Sequence, residues 1–345
     1  MHDSTRDQPI AIVPVPTPNT GYADAIRDRK ISSFIYNLLL KHHRMYESPY
    51  VGRIWRTAWK MASDRFSGPV STNIHGQRAI VNFGHTYALF ARRFPHWNEP
   101  LIELVYQSHA SVKMPITVID VGASIGDTVM LLESNCGEMI SAYFCVEGDP
   151  EFFSYLRQNL AALNKAFAFG ALLSDAEGPI AGLVRTTNLG SASAQGATLA
   201  EATTLDALLT DRQLGPGAVL KIDVDGFDGR VLRGARNTLS ERRPAVVFEW
   251  HPVLCRESGN SPLEHFDVLR EEGYTRFVWF TKYGCFSHFM RGVDDASIRN
   301  LVEVCLNDRH DDNWHYDVVA LTDSHQISDV GLAELSFAKR RRSRY

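Results

Sequence analysis

Nothing in this chain is long and apolar enough to cross a bilayer as a helix, which takes roughly 20 consecutive apolar residues. The apolar stretch near its start, Ile10-Ala11-Ile12-Val13-Pro14-Val15-Pro16, is short and broken by proline, so it reads as neither signal peptide nor anchor. Cysteine is sparse: Cys136, Cys145, Cys255, Cys285 and Cys305 are 5 in 345 residues, an odd number without C-x-x-C spacing. That excludes a disulfide scaffold and a zinc ribbon, and predicts reduced thiols in the cytoplasm. Positive charge is not in excess either, with 36 Lys and Arg against 40 Asp and Glu and a formal net charge of −4. Neither nucleic-acid binding nor stable membrane insertion is expected of such a balance. The one basic run, Lys339-Arg340-Arg341-Arg342-Ser343-Arg344, reads as a solvated, disordered end. Also missing are any internal repeat and the G-x-G-x-x-G dinucleotide fingerprint.

What is present is 44% apolar residues, ample for a core, in alternating strand and helix patterns. Short apolar runs predict strands over 116–121, 142–147, 166–173, 219–223 and 245–249, with helices over 125–132, 150–163, 227–239 and 262–272. Repeated βα units imply a parallel sheet. Later strands are expected at 275–281, 284–289 and 316–321, with a helix over 294–306. Ahead of the core, Ile26, Ile31, Phe34, Ile35, Leu38 and Leu39 predict a helix over 23–46 that packs on its own domain, pairs two copies as a homodimer or roofs the site. A strand pair around His75-Gly76 within 70–91 and a helix over 100–109 follow. The expected division is a flexible leader 1–20, a mostly helical extension 21–110, an α/β domain 111–323 and a basic tail 324–345.

The most telling stretch is Thr117-Val118-Ile119-Asp120-Val121-Gly122-Ala123-Ser124-Ile125-Gly126-Asp127, which reads as strand, tight loop and helix start. Gly122 lets the backbone turn sharply and approach a ligand, and Gly126 lets the helix pack close to the strand. The next strand ends in Glu147, a carboxylate placed to accept hydrogen bonds from a ribose diol. One reading is an S-adenosylmethionine loop, with the Asp120 strand end and the glycines facing the methionine half and Glu147 the ribose. A second is the G-x-S-x-G nucleophile elbow of a serine hydrolase, since Gly122-Ala123-Ser124-Ile125-Gly126 matches it in the strand-turn-helix context it requires. Against the elbow, no convincing βαβ series or oxyanion motif precedes Thr117. A third is a glycine turn serving packing alone.

A second buried-type strand, Leu220-Lys221-Ile222-Asp223-Val224-Asp225-Gly226, also ends in acid. With Ile119-Asp120-Val121-Gly122-Ala123, Val146-Glu147-Gly148-Asp149-Pro150, Thr204-Leu205-Asp206, Val231-Leu232-Arg233-Gly234-Ala235 and Val247-Phe248-Glu249, it makes residues 70–322 resemble the FkbM-type methyltransferase family. The resemblance implies a doubly wound, Rossmann-like class I methyltransferase sheet with its last strand antiparallel, S-adenosylmethionine as cofactor and an oxygen acceptor. Ser124 stands where that family usually has Asn, and its hydroxyl can still hydrogen-bond the cofactor.

The expected cofactor contacts are Asp120, Gly122, Ala123, Ser124, Gly126, Asp127, Glu147, Gly148 and Asp175. Asp223 and Glu249 end successive strands and His251 follows closely, so these three are the catalytic candidates, able to accept or relay a proton. Asp225, Ser191 and His85 are the expected substrate contacts. Asp223, Asp225 and Glu249 also raise Mg²⁺ as an unfavoured option, because strand-end acids are common in such folds for other reasons. The expected activity is O-methylation of a sugar, glycan or secondary metabolite. Its rivals are the serine hydrolase and a catalytically silent binding protein of the same fold.

Overall fold

Residues 26–112 build a cap before the core begins. The computed structural model describes residues 13–14, 26–181, 184–185, 192–193, 199–307 and 314–342, so of the expected leader only Val13–Pro14 is described. The cap comprises α1 (Lys30–Lys41), α2 (Gly52–Arg65), the strands β1 (Pro69–Ile74) and β2 (Gln77–Asn82), α3 (Tyr87–Arg93) and α4 (Glu99–Val112). The helix expected over 23–46 is confined to α1, with a 3-10 turn at His43–Glu47 after it. Hydrogen bonds account for its late start. Ile26 N donates to Gln158 Oε1 at 3.0 Å, Gln158 Nε2 donates to Ile26 O at 2.9 Å, and Arg29 N donates to Pro69 O at 3.2 Å, holding the stretch extended.

β1 and β2 pair antiparallel about His75-Gly76, both at positive φ (49° and 83°), the two-residue turn whose twist suits a hairpin. Tyr36, Trp55, Trp59 and Phe83 of the cap form one apolar cluster with Ile125, Met130, Phe152 and Tyr155 of the core. The cap is therefore packed onto the core's loop end. Ile31, Phe34 and Leu38, on the opposite side of α1, are exposed.

The core is a sheet of β3 (Ile116–Val121), β4 (Ile140–Glu147), β5 (Ala166–Gly170), β6 (Val219–Ile222), β7 (Ala245–Trp250), β8 (Tyr274–Thr281), β9 (Phe286–Arg291) and β10 (Tyr316–Thr322). Its order is β5-β4-β3-β6-β7-β10-β8-β9, with Val13–Pro14 pairing antiparallel outside β5. β3 to β7 run parallel, and β10 inserts antiparallel between β7 and β8. All six residues of β3 are buried, as a strand covered on both faces requires. The helices α5 (Asp127–Cys136), α6 (Pro150–Leu160), α7 (Asp228–Arg233), α8 (Glu264–Glu271) and α9 (Asp295–Asn307) fill the two apolar layers with their neighbours. The helix expected over 227–239 stops early because Gly234 presses against Ser174, where a Cβ would lie 2.1 Å from the carbonyl oxygen.

The basic tail is not a solvated end up to Arg342. It forms α10 (Ser336–Arg342) against α4, where Glu103 is only 1% exposed. Phe337 N donates to Glu103 Oε2, Arg340 reaches Oε1 at 3.5 Å, and the Arg340 guanidinium sits 3.8 Å above the Tyr106 ring. A buried carboxylate needs such partners. Deleting 336–345 is expected to cost about 1–3 kcal/mol, the penalty of leaving a buried acceptor short of donors. An unchanged urea midpoint in the truncated chain would contradict that.

Candidate active site

The site is built where β3 turns into α5. Gly122 has φ +79°, and a Cβ there would lie 1.8 Å from the Asp223 carbonyl oxygen, so only glycine fits. Its N–H and that of Ala123 both donate to Val146 O at 3.0 Å, tying the loop to the end of β4. Ser124 follows in the left-handed region (φ 47°) and its N–H donates to Glu147 Oε2 at 2.7 Å. Asp149 N donates to Glu147 Oε1 at 2.7 Å. Burial pushes the Glu147 carboxyl up to about 7 against the pull of these two bonds. A cleft runs over this turn, lined by Gly122, Ser124, Glu147 and Gly148 together with Leu172, Ile180 and Phe227. Its lining combines a carboxylate and bare backbone with apolar side chains.

Asp223 and Asp225 border this cleft, and with Gly122 and Ser124 they also border a second cavity. The cap supplies the second cavity's aromatic side through Tyr87, Phe90 and Trp97, while Lys221, Glu249 and His315 complete its charged side. Lys221 Nζ lies 3.2 Å from Asp223 Oδ2 and 3.3 Å from Asp120 Oδ1. Burial works against the Lys221 charge, but Asp223, Asp120 and Asp127 outweigh it and hold the ammonium well above its ordinary range. Glu249 Oε2 lies 3.3 Å from His315 Nε2. Burial, then the neighbouring Asp223 and Asp225, raises the Glu249 carboxyl well above the usual carboxylate range.

The structure thus brings Gly122, Ser124, Glu147 and Gly148 to the first cleft, Asp127, Glu249 and His85 to the second cavity, and Asp223 and Asp225 to both. Other candidates lie elsewhere. Asp120 is fully buried beneath the loop, an ion-pair partner for Lys221. Ala123 and Gly126 support the turn from behind, where a Cβ on Gly126 would crowd Leu156 and Leu160. Asp175 pairs with Arg233 at 3.1 Å and borders neither cavity. His251 is 2% exposed, accepts from Leu254 N through Nδ1 at 3.4 Å and stacks on His315, so it supports the site from outside the cavity lining. Ser191 lies outside the described residues. Among the described residues no three His, Cys, Asp or Glu side chains could hold a metal ion, so the Mg²⁺ option is without support.

Ser124 Oγ lies 3.5 Å from His85 Nε2, which has the outline of a hydrolase pair. The proton is on the wrong nitrogen. His85 Nδ1 accepts from Tyr87 N at 3.4 Å, leaving Nε2–H to donate toward the serine instead of taking its proton, and burial holds the ring at about 4, hence neutral.

Sequence reasoning missed Lys221 and His315. A lysine interrupting an otherwise apolar strand was a signal for the first. For the second, a residue just before an antiparallel strand sits at the edge where parallel neighbours end.

The strand order, with one antiparallel insertion beside the last parallel strand and the cleft at the carboxyl edge, defines a Rossmann-like class I methyltransferase fold. Residues 120–276 match the model of the methyltransferase FkbM domain, which bears out the resemblance over that segment. No curated protein matches the chain. Among solved structures, methyltransferase FkbM from Methylobacillus flagellatus KT is 16% identical, with a TM-score of 0.33 over 59% of this chain and 43% of that one. The chain thus spans less than half the length of that protein. An O-methyltransferase from Bacillus cereus in complex with SAH is 13% identical (TM-score 0.35; 68% of this chain, 86% of that one). M. jannaschii TYW2 in complex with AdoMet is 12% identical (TM-score 0.33; 73% and 84%). At TM-scores this low these likenesses add nothing to the topology and the family match.

Proposed function

We propose that the chain is an S-adenosylmethionine-dependent methyltransferase that methylates a hydroxyl of a sugar, glycan or secondary metabolite. One observation carries the reading: Gly122, Ser124, Asp223 and Asp225 border both the cleft over Glu147 and the aromatic-walled cavity, so a group held in the cleft faces an acceptor in the cavity. The donors present suit an adenosyl ligand. Glu147 retains lone pairs for a ribose diol beyond the two backbone bonds it accepts, and the apolar slot beside Leu172 and Phe227 suits an adenine ring. Bound there, S-adenosylmethionine supplies a methyl group on a sulfonium. The chain's own task is to orient the acceptor hydroxyl against it and to take up the hydroxyl proton. Trp97, Phe90 and Tyr87 offer flat faces on which a sugar ring can stack, and the acids offer acceptors for its hydroxyls. Five scattered cysteines without C-x-x-C spacing support a reducing, cytoplasmic setting.

Glu147→Ala is expected to weaken S-adenosylhomocysteine binding by roughly 1.5–3 kcal/mol, the scale of hydrogen bonds to a charged group. Calorimetry on a folded variant with unchanged affinity would remove Glu147 from the ribose role. Ser124→Ala, measured alongside, separates the readings, because a hydrolase would lose nearly all activity and a methyltransferase only part.

A further inference from the structure

We propose that His315 takes the proton of the acceptor hydroxyl, with Glu249 holding its imidazole in place. This rests on the methyltransferase reading above and assigns a role to a residue outside the strand-end acids. His315 directly precedes β10, and because β10 runs antiparallel beside β7, with Tyr316 opposite Trp250, its first residues lie at the edge where the parallel strands finish. Glu249 Oε2 lies 3.3 Å from Nε2, and the His251 ring stacks on the imidazole at 4.8 Å and 24°. The side chain is 12% exposed and borders the cavity that also holds Asp223 and Asp225.

The competing groups are less suited. Asp223 is engaged by the Lys221 ammonium at 3.2 Å. Glu249 is turned to His315. An imidazole, by contrast, changes charge near neutral pH and can pass its proton on to water after turnover. In the step itself, the acceptor oxygen forms a C–O bond to the methyl carbon as the C–S bond breaks, sulfur keeps the electron pair, and the hydroxyl proton passes to the imidazole. One positive charge thereby moves from the sulfonium to the His315–Glu249 pair. Asp223, Asp225 and Glu249 lie around that path, so the cavity is built to accommodate the charge both before and after transfer.

The test uses the full chain with isotope-labelled histidine and two probes, S-adenosylhomocysteine, with a neutral sulfur, and sinefungin, with an amine in the sulfonium position. His315→Gln assigns the resonance. The titratable groups bordering the same cavity are Glu249, Asp223, Asp225, Asp127, Lys221 and His85, with His251 stacked on the ring and Asp317 opposite Glu249, and all are present in both complexes. Sinefungin should lower the His315 titration midpoint by about half a unit or more relative to S-adenosylhomocysteine, as a nearby positive charge does. With labelled S-adenosylmethionine and a panel of methyl glycosides, His315→Ala should lose about 10²-fold in turnover. The acidic limb of the kcat profile should vanish, added imidazole should restore rate, and S-adenosylhomocysteine affinity should hold. Equal His315 midpoints with both probes, or near wild-type turnover in His315→Ala and His315→Gln, would overturn the assignment. If the native chain binds neither probe, the methyltransferase reading itself falls, and this inference with it.

Discussion

Gly122→Ala should abolish S-adenosylhomocysteine binding and cost the fold about 2–5 kcal/mol, combining overpacking with the penalty of a side chain in the left-handed region. The added Cβ would meet the Asp223 carbonyl oxygen at 1.8 Å and its carbon at 2.9 Å, far inside contact distance. Asp223 has little room to retreat, because its N–H donates to Val121 O at 3.0 Å and its carboxylate is paired with Lys221. The loop must move instead, and with it the Ser124 N–H that orients Glu147. Gly76→Ala is the matched control: its φ is +83° but nothing lies within 4 Å of the new Cβ, so only the conformational cost of about 1–2 kcal/mol applies. Urea melts and calorimetry on both variants decide the matter. A Gly122 variant no worse than the Gly76 variant would show that the loop has room to spare.

The core strands were legible because a strand covered on both faces is mostly apolar, and Ile116–Val121, Val219–Ile222 and Ala245–Trp250 have that form, interrupted only by Thr117, Asp120, Lys221 and Glu249. The loop was legible because Gly122 and Gly126 answer backbone demands that few other residues meet. Where tertiary contacts decide local structure, the sequence pattern was thinner. α2 buries only Gly52, Trp55, Trp59 and Ser63 among charged neighbours, a stripe too narrow to announce a helix. The break after Arg233 comes from the backbone of Ser174, some sixty residues away in the chain. The docking of α10 follows from a buried acid on another helix.

The candidate site divides along the same line. Expected residues of the glycine loop and the parallel strand ends line the two cavities, at the carboxyl edge where such sheets bind ligands. Asp175 was expected there too, yet Arg233 draws its carboxylate to the outer side of the cleft. Only the antiparallel insertion of β10 brings His315 to the second cavity, and only the packing of the cap brings Trp97 and Tyr87 there.

The acids at the cavity should then separate by what each is tied to. Asp223→Asn and Glu249→Gln are each expected to lower turnover by about 10²–10⁴-fold, the range of groups that hold or move a proton in the transition state, with little change in S-adenosylhomocysteine affinity. Their reasons differ. Asp223→Asn removes one of the three acids that hold the Lys221 ammonium, so a positive charge is left less balanced beside the incoming sulfonium. Glu249→Gln keeps the shape of the side chain but removes the carboxyl group 3.3 Å from His315, so the imidazole loses its anchor. Loss in Glu249→Gln should therefore be non-additive with loss in His315→Gln. Labelled-methyl turnover of the single and double variants measures this directly. Near wild-type rates in both single variants would rule the two acids out of the chemistry. Full additivity between Glu249 and His315 would show that they do not act as a pair.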